Sequence, residues 1–209
     1  MKCQKPDFLC RVPAEESYVP PERPELPDKL TDYLTGLEIP FTNRDNIRQR
    51  ALKFLIEEKG YLKDDIIPDR EISFELEQQP VRSRVDISIC LDGKTLMIWK
   101  CASGSLVTRE RQIMASARLL EDYIVPFAAI TNGAELELLD ASSGEVIGNG
   151  FSSVFPRSEL SAMARDLALK PVNLKKTINE QRILYTYDAI SCPAVCPKDE
   201  KDAAAGEKA

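Results

Sequence analysis

Two rhythms alternate along this chain. From Thr42 to Gly60, "TNRDNIRQRALKFLIEEKG" places apolar residues at Ile47, Ala51, Phe54 and Leu55, which is helical spacing. Thr42 or Asn43 supplies a capping side chain at its start, and Gly60 closes it. The period then shortens. "REISFELE" sets Ile72, Phe74 and Leu76 against charged neighbours, the pattern of a half-buried strand. Val81 to Leu91 alternates again, with Val81, Val85, Ile87, Ile89 and Leu91 on one side and Arg82, Arg84, Asp86 and Ser88 on the other. "DGK" at 92–94 predicts a hairpin turn, and 95–101 the strand that leaves it. "LVTRERQIMASARLLEDY" returns to helical spacing, "PFAAIT" predicts a buried strand, and "NGAELELLD" turns into another. Beyond loops around "SSGEVIGNG", helices are expected over roughly 157–169 and 174–189, the second with Ile178, Leu184 and Tyr187 on a face.

Helix, three meandering strands, helix, two strands, then helices: this order predicts an α/β (α+β-like) fold, a central mixed sheet of about five strands flanked by helices. The margins differ from the middle. Residues 1–42 are proline-rich, with "VPPERPELP", and predict an N-terminal extension rather than a helix or strand. Residues 151–191 are expected to pack as helices on the central unit, 43–150. The last stretch, 192–209, holds a cysteine pair and the small, charged tail "KDEKDAAAGEKA", expected to be disordered.

Composition narrows the chemistry. The 209 residues contain no histidine, so the chain supplies no Ser-His or Cys-His pair and no imidazole base or ligand. Any catalysis must use carboxylates, lysine, tyrosine, thiols or a metal. Net charge is −6, so nucleic-acid binding would need a local basic face. Arg44, Arg48, Arg50 and Lys53 on the first helix could form one, with Arg82, Arg84, Lys100, Arg109 and Arg111 on the later elements. They could equally be a solvated surface balanced by Glu57, Glu58 and Glu110. "MKCQKPDFLC" lacks the continuous apolar run of a secretory leader and no stretch is apolar enough to span a bilayer, so a cytoplasmic protein without membrane contact is expected.

"LMIWKCAS" poses the sharpest question, because Lys100 ends the most apolar strand. Asp86 lies on the neighbouring strand, where a hairpin can bring the two together. They could form a site, or a half-buried ion pair among the nearby arginines.

"IRQRALKFLIEEKGY", "RVDISI", "LMIWKCAS", "RQIMASARLL" and "AITNGAELELL" stand in the order and spacing of a known domain. Over residues 43–150 the chain resembles the N-terminal nuclease domain of type I restriction enzyme R subunits, in the PD-(D/E)xK, restriction-endonuclease-like superfamily. The resemblance implies a metal-dependent endonuclease fold with DNA, and other restriction-system subunits, as partners. It implies that an aspartate and a glutamate hold Mg²⁺ or Mn²⁺, which polarises the phosphate and activates water, while a lysine assists. Carried over, Asp86 is the metal-binding aspartate, Lys100 the catalytic lysine and Gln112 the helical glutamine. Asp45 corresponds to an acidic residue of the first helix that can reach the metal. Arg48, Arg82, Arg84 and Arg109 are the substrate-binding candidates. Two positions depart from the pattern: Ile98 stands where the glutamate belongs, and Ser116 replaces a tyrosine. Glu71, Glu75, Glu110 or Asp45 could supply a relocated carboxylate. The expectation is a degenerate nuclease that binds DNA or a partner without efficient cleavage. The alternatives are an endonuclease with a relocated acid and a structural or interaction module.

Six cysteines complete the inventory. Cys90 and Cys101 read as small buried apolar residues. Cys3, Cys10, Cys192 and Cys196 could hold Zn²⁺ or an iron–sulfur cluster, form disulfides, or remain thiols.

Overall fold

A computed structural model describes residues 27–189. The four terminal cysteines lie outside the described residues. Two short strands, β1 (Lys29–Thr31) and β2 (Glu38–Pro40), pair antiparallel as a ribbon within what reads in sequence as the extension. Helix α1 (Asn43–Glu57) follows, capped as its sequence predicts. The Asp45 N–H donates to Thr42 Oγ1 at 2.9 Å, and that hydroxyl donates to Asp45 Oδ2 at 2.6 Å.

The sheet then begins. β3 (Ile66–Leu76), β4 (Gln79–Leu91) and β5 (Lys94–Cys101) form an antiparallel meander. Helix α2 (Glu110–Leu119) crosses over, so that β6 (Phe127–Thr131) runs parallel to β5. β7 (Leu136–Asp140) and β8 (Val146–Asn149) add antiparallel strands, giving six in the order β3-β4-β5-β6-β7-β8. Helices α3 (Arg157–Asp166) and α4 (Leu174–Ala189) end the described chain. The α+β, mixed-sheet reading holds, with β8 as an edge strand where sequence predicts a loop.

Turn chemistry fixes the meander. Between Leu91 and Lys94, Asp92 and Gly93 take φ of +50° and +73°, the left-handed pair that a tight hairpin requires. The β3–β4 hairpin closes the same way through Glu77 and Gln78, at +51° and +66°, without a glycine.

Two apolar cores lie on the two faces of the sheet. Ile47, Ala51, Leu52 and Leu55 of α1 and Leu160 of α3 pack with Ile87, Met97 and Trp99. On the other face, Ile113 and Ala117 of α2 and Leu184 of α4 pack with Val85, Ile98 and Ile130. Burying large apolar side chains stabilises by about 1.5–3 kcal/mol each. One expectation needs correction. The alternation of β4 predicts that Val85 and Ile87 share a side, yet they belong to different cores. The faces of β4 therefore exchange at Asp86. The partner strand departs from regular β geometry at the same level, where Asp69, between the pairs Arg70–Val85 and Pro68–Ile87, has φ +50°.

Candidate functional site

Asp86 sits where that exchange occurs, with its side chain 0% exposed. A buried carboxylate requires partners for both oxygens. Oδ2 accepts the Cys101 N–H at 2.5 Å. Oδ1 accepts from Arg44, with Nε at 2.6 Å and Nη2 also in contact. Arg44 reaches inward from the first turn of α1 and its Nη2 also contacts Asp69 Oδ1 at 3.1 Å. One guanidinium thus bridges two carboxylates on adjacent strands. Burial works to lower the Arg44 pKa, but Asp86 and then Asp69 outweigh it and hold the guanidinium above its ordinary value.

Arg48 follows Arg44 by one helical turn and extends the network. Its guanidinium, itself buried, contacts Asp69, lies 3.1 Å from Asp45, and stands 3.9 Å from Asp32 in the loop between β1 and β2. Gln49 ties that loop down, donating to Asp32 Oδ2 at 2.9 Å while its Oε1 accepts the Tyr33 N–H at 2.7 Å. Arg84 approaches Asp69 at 3.4 Å. Asp69 therefore meets three arginines, although sequence singled out neither it nor its role. Its position, just before the strand predicted to start at Arg70, concealed it.

Lys100 does not meet Asp86 in an ion pair among the described residues. The β4–β5 ladder stops at Ile87 opposite Trp99, and Lys100 Nζ instead donates to the Arg84 carbonyl at 3.0 Å. Ile98 is 0% exposed, within the α2-side core. Gln112 is buried on α2, where its Oε1 accepts from Arg109 at 3.3 Å and its Nε2 donates to Asp188 of α4 at 3.0 Å. Ser116 Oγ returns to the Gln112 carbonyl at 3.0 Å. Of the remaining cations, Arg82 and Arg84 keep 77% and 53% of their side chains exposed, while Arg109 and Lys100 are partly exposed. Glu71, a candidate for relocation, stands opposite Arg84 in the ladder, accepts from Ser73 at 2.5 Å and lies 3.8 Å from Arg82.

Divalent-metal chemistry at Asp86 would need at least one free oxygen and further hard donors. Both oxygens are engaged, Asp45 is held by the helix cap and Arg48, and no cluster of three or more acidic or cysteine side chains among the described residues could hold an ion. The arrangement does not fit the metal that the resemblance implies. Cys101 is buried beneath the site; burial, then the neighbouring Asp86 charge, pushes its thiol well up. A groove of 560 Å³ lies elsewhere, between Ile47, Arg50 and Phe54 of α1 and Gly133 beyond β6; Arg50 and Lys53 of the expected basic face line it, and none of the residues carried over from the family does.

The family model for the type I restriction enzyme R protein N terminus matches residues 43–154. The chain belongs to this family. No curated protein and no solved structure matches it. Among the segments behind the family resemblance, "TNG" now has a structural role. Asn132 Oδ1 accepts the N–H groups of Ala134 and Glu135 at 3.0 and 2.7 Å, forming the β6–β7 turn. Gly133, at φ +87°, comes so close to α1 that a Cβ would lie 3.3 Å from Ile47. The family's turn thereby braces the helix that carries Arg44. No helix among the described residues is long and apolar enough to cross a membrane.

Proposed function

We propose that this type I restriction R-protein N-terminal domain binds DNA along its phosphate backbone and does not cleave it. The observation that carries this reading is the state of Asp86: Arg44 and the Cys101 N–H occupy both of its oxygens. Ile98, at the position where the family pattern places a second carboxylate, is core. Arg82, Arg84, Lys100 and Arg109 remain at least partly exposed around this end of the strands, and such cations favour phosphate contacts.

Asp69 favours a second reading, a Mg²⁺- or Mn²⁺-dependent endonuclease with a relocated acid, since it shares Arg44 with Asp86. Incubating the protein with supercoiled DNA and either metal separates the two. The proposal expects no nicking, together with binding measured by fluorescence anisotropy that weakens in R82A/R84A and falls with salt. Nicking that disappears in Asp86→Ala would establish the second reading. Absence of DNA binding at low salt would instead point to an interaction module. Ile98→Glu alone should not create activity, because it places a carboxylate in the apolar core with Arg44 still on Asp86.

A further inference from the structure

We infer that the Arg44 guanidinium is a built-in replacement for a divalent cation, bridging Asp86 and Asp69. The inference rests on the non-cleaving half of the proposed function and leaves its DNA-binding half aside. Arg44 does what a bridging cation would do. It takes one oxygen from a carboxylate on β3 and one from its neighbour on β4, at 3.1 and 2.6 Å. It arrives from α1 and so enters the space beside Asp86 that an ion would need.

Charge supports the same conclusion. The network contains the carboxylates of Asp32, Asp45, Asp69 and Asp86 and the guanidiniums of Arg44, Arg48 and Arg84. It is one positive charge short of neutrality. Bringing in a divalent ion beside Arg44 would overshoot, in a place where Asp86 has no exposure to water. Without Arg44 the deficit is two, which one divalent ion supplies. Geometry agrees, since Cys101 occupies Oδ2 and leaves Oδ1 as the face that Arg44 covers.

The Cys101 amide proton reports on this directly, because it bonds Asp86. The experiment is a Mn²⁺ titration of full-length protein followed by NMR, reading paramagnetic broadening of that amide. In the native protein the Cys101 signal should persist while exposed acidic sites broaden. In Arg44→Gln or Arg44→Met it should broaden at about tenfold lower Mn²⁺ or less, and excess Mg²⁺ should reverse it. Selective broadening of Cys101 in the native protein would overturn the inference without any variant. Either variant keeping its circular dichroism spectra while Cys101 stays sharp would also overturn it. So would loss of the fold in both, since Arg44 would then be a structural group alone. DNA binding measured by anisotropy in EDTA is independent. If it fails while Cys101 behaves as expected, only the DNA-binding proposal falls.

Discussion

Asp69 and Arg70 are neighbours in β3, and each opens a polar network of a different kind. Arg70 Nη1 donates to Glu121 Oε1 at 2.6 Å and to Thr95 Oγ1 at 2.8 Å. Thr95 Oγ1 donates to the same Glu121 oxygen at 2.5 Å, and Tyr123 OH accepts the Thr95 N–H at 2.8 Å. One cation meets one anion there, with side chains 25% and 23% exposed, so water shares the load. Asp69 leads instead to Arg44 and to an Asp86 carboxylate sealed from water. The first network staples β3 and β5 to the end of α2. In the second, Arg44 cannot leave without stranding the buried charge of Asp86. The lesson is that counting ion pairs says little; the exposure of the least accessible member sets the consequence.

The largest expected effect tests that claim. Arg44→Ala should cost about 3–5 kcal/mol in urea unfolding, because it leaves the buried Asp86 carboxylate without a counter-charge, and Asp86→Ala should cost less, because Arg44 keeps Asp69. The paired change R44M/D86L should recover most of the loss. Recovery would show that the penalty comes from a stranded charge and not from lost packing. At the other network, Glu121→Ala should cost about 1–2 kcal/mol, since Arg70 can turn to water. Equal losses at the two sites would break the comparison.

A pH series sharpens it further. Burial alone would raise the Glu121 pKa, but the bonds from Arg70 and Thr95 outweigh burial and hold it below the usual range. Asp65, bonded by Arg157, and Asp32, bonded by Thr35 and Gln49, are likewise lowered against burial. A depressed folded pKa contributes stability above the unfolded value and loses it as pH falls through the folded one. Unfolding free energy should therefore be level near neutrality and decline below about pH 4.5, with a shallower decline in Glu121→Gln. The smallest effect leaves both networks intact. Gln78→Gly relieves the left-handed turn position and should gain about 0.5 kcal/mol in thermal or urea unfolding.

Much of the architecture is legible in the residues because burial imposes a period. α1, β5 and β6 follow their apolar spacing closely, and the alternation on β5 separates Ile98 from Met97 and Trp99. β1, β2 and β8 are too short, at three or four residues, to show a period at all. The exchange of faces at Asp86 coincides with a left-handed residue on the partner strand, and an aspartate does not announce that conformation as glycine would. Asp86 itself can be picked out from its strand, but its partner cannot. Arg44 lies 42 residues away, and only the packing of α1 against the sheet brings them together.

The last helix has a practical consequence for where this domain can be cut. The family match stops at residue 154, yet Leu184 is a fully buried part of the α2-side core and Asp188 bonds Gln112. Arg157, also past the match, grips Asp65 through two bonds of 2.6 and 3.1 Å. Before the match begins, Asp32 accepts from Gln49. A fragment trimmed to 43–154 would present bare apolar surface to solvent and to its own copies. The portion recognisable by descent is smaller than the portion that must be expressed together.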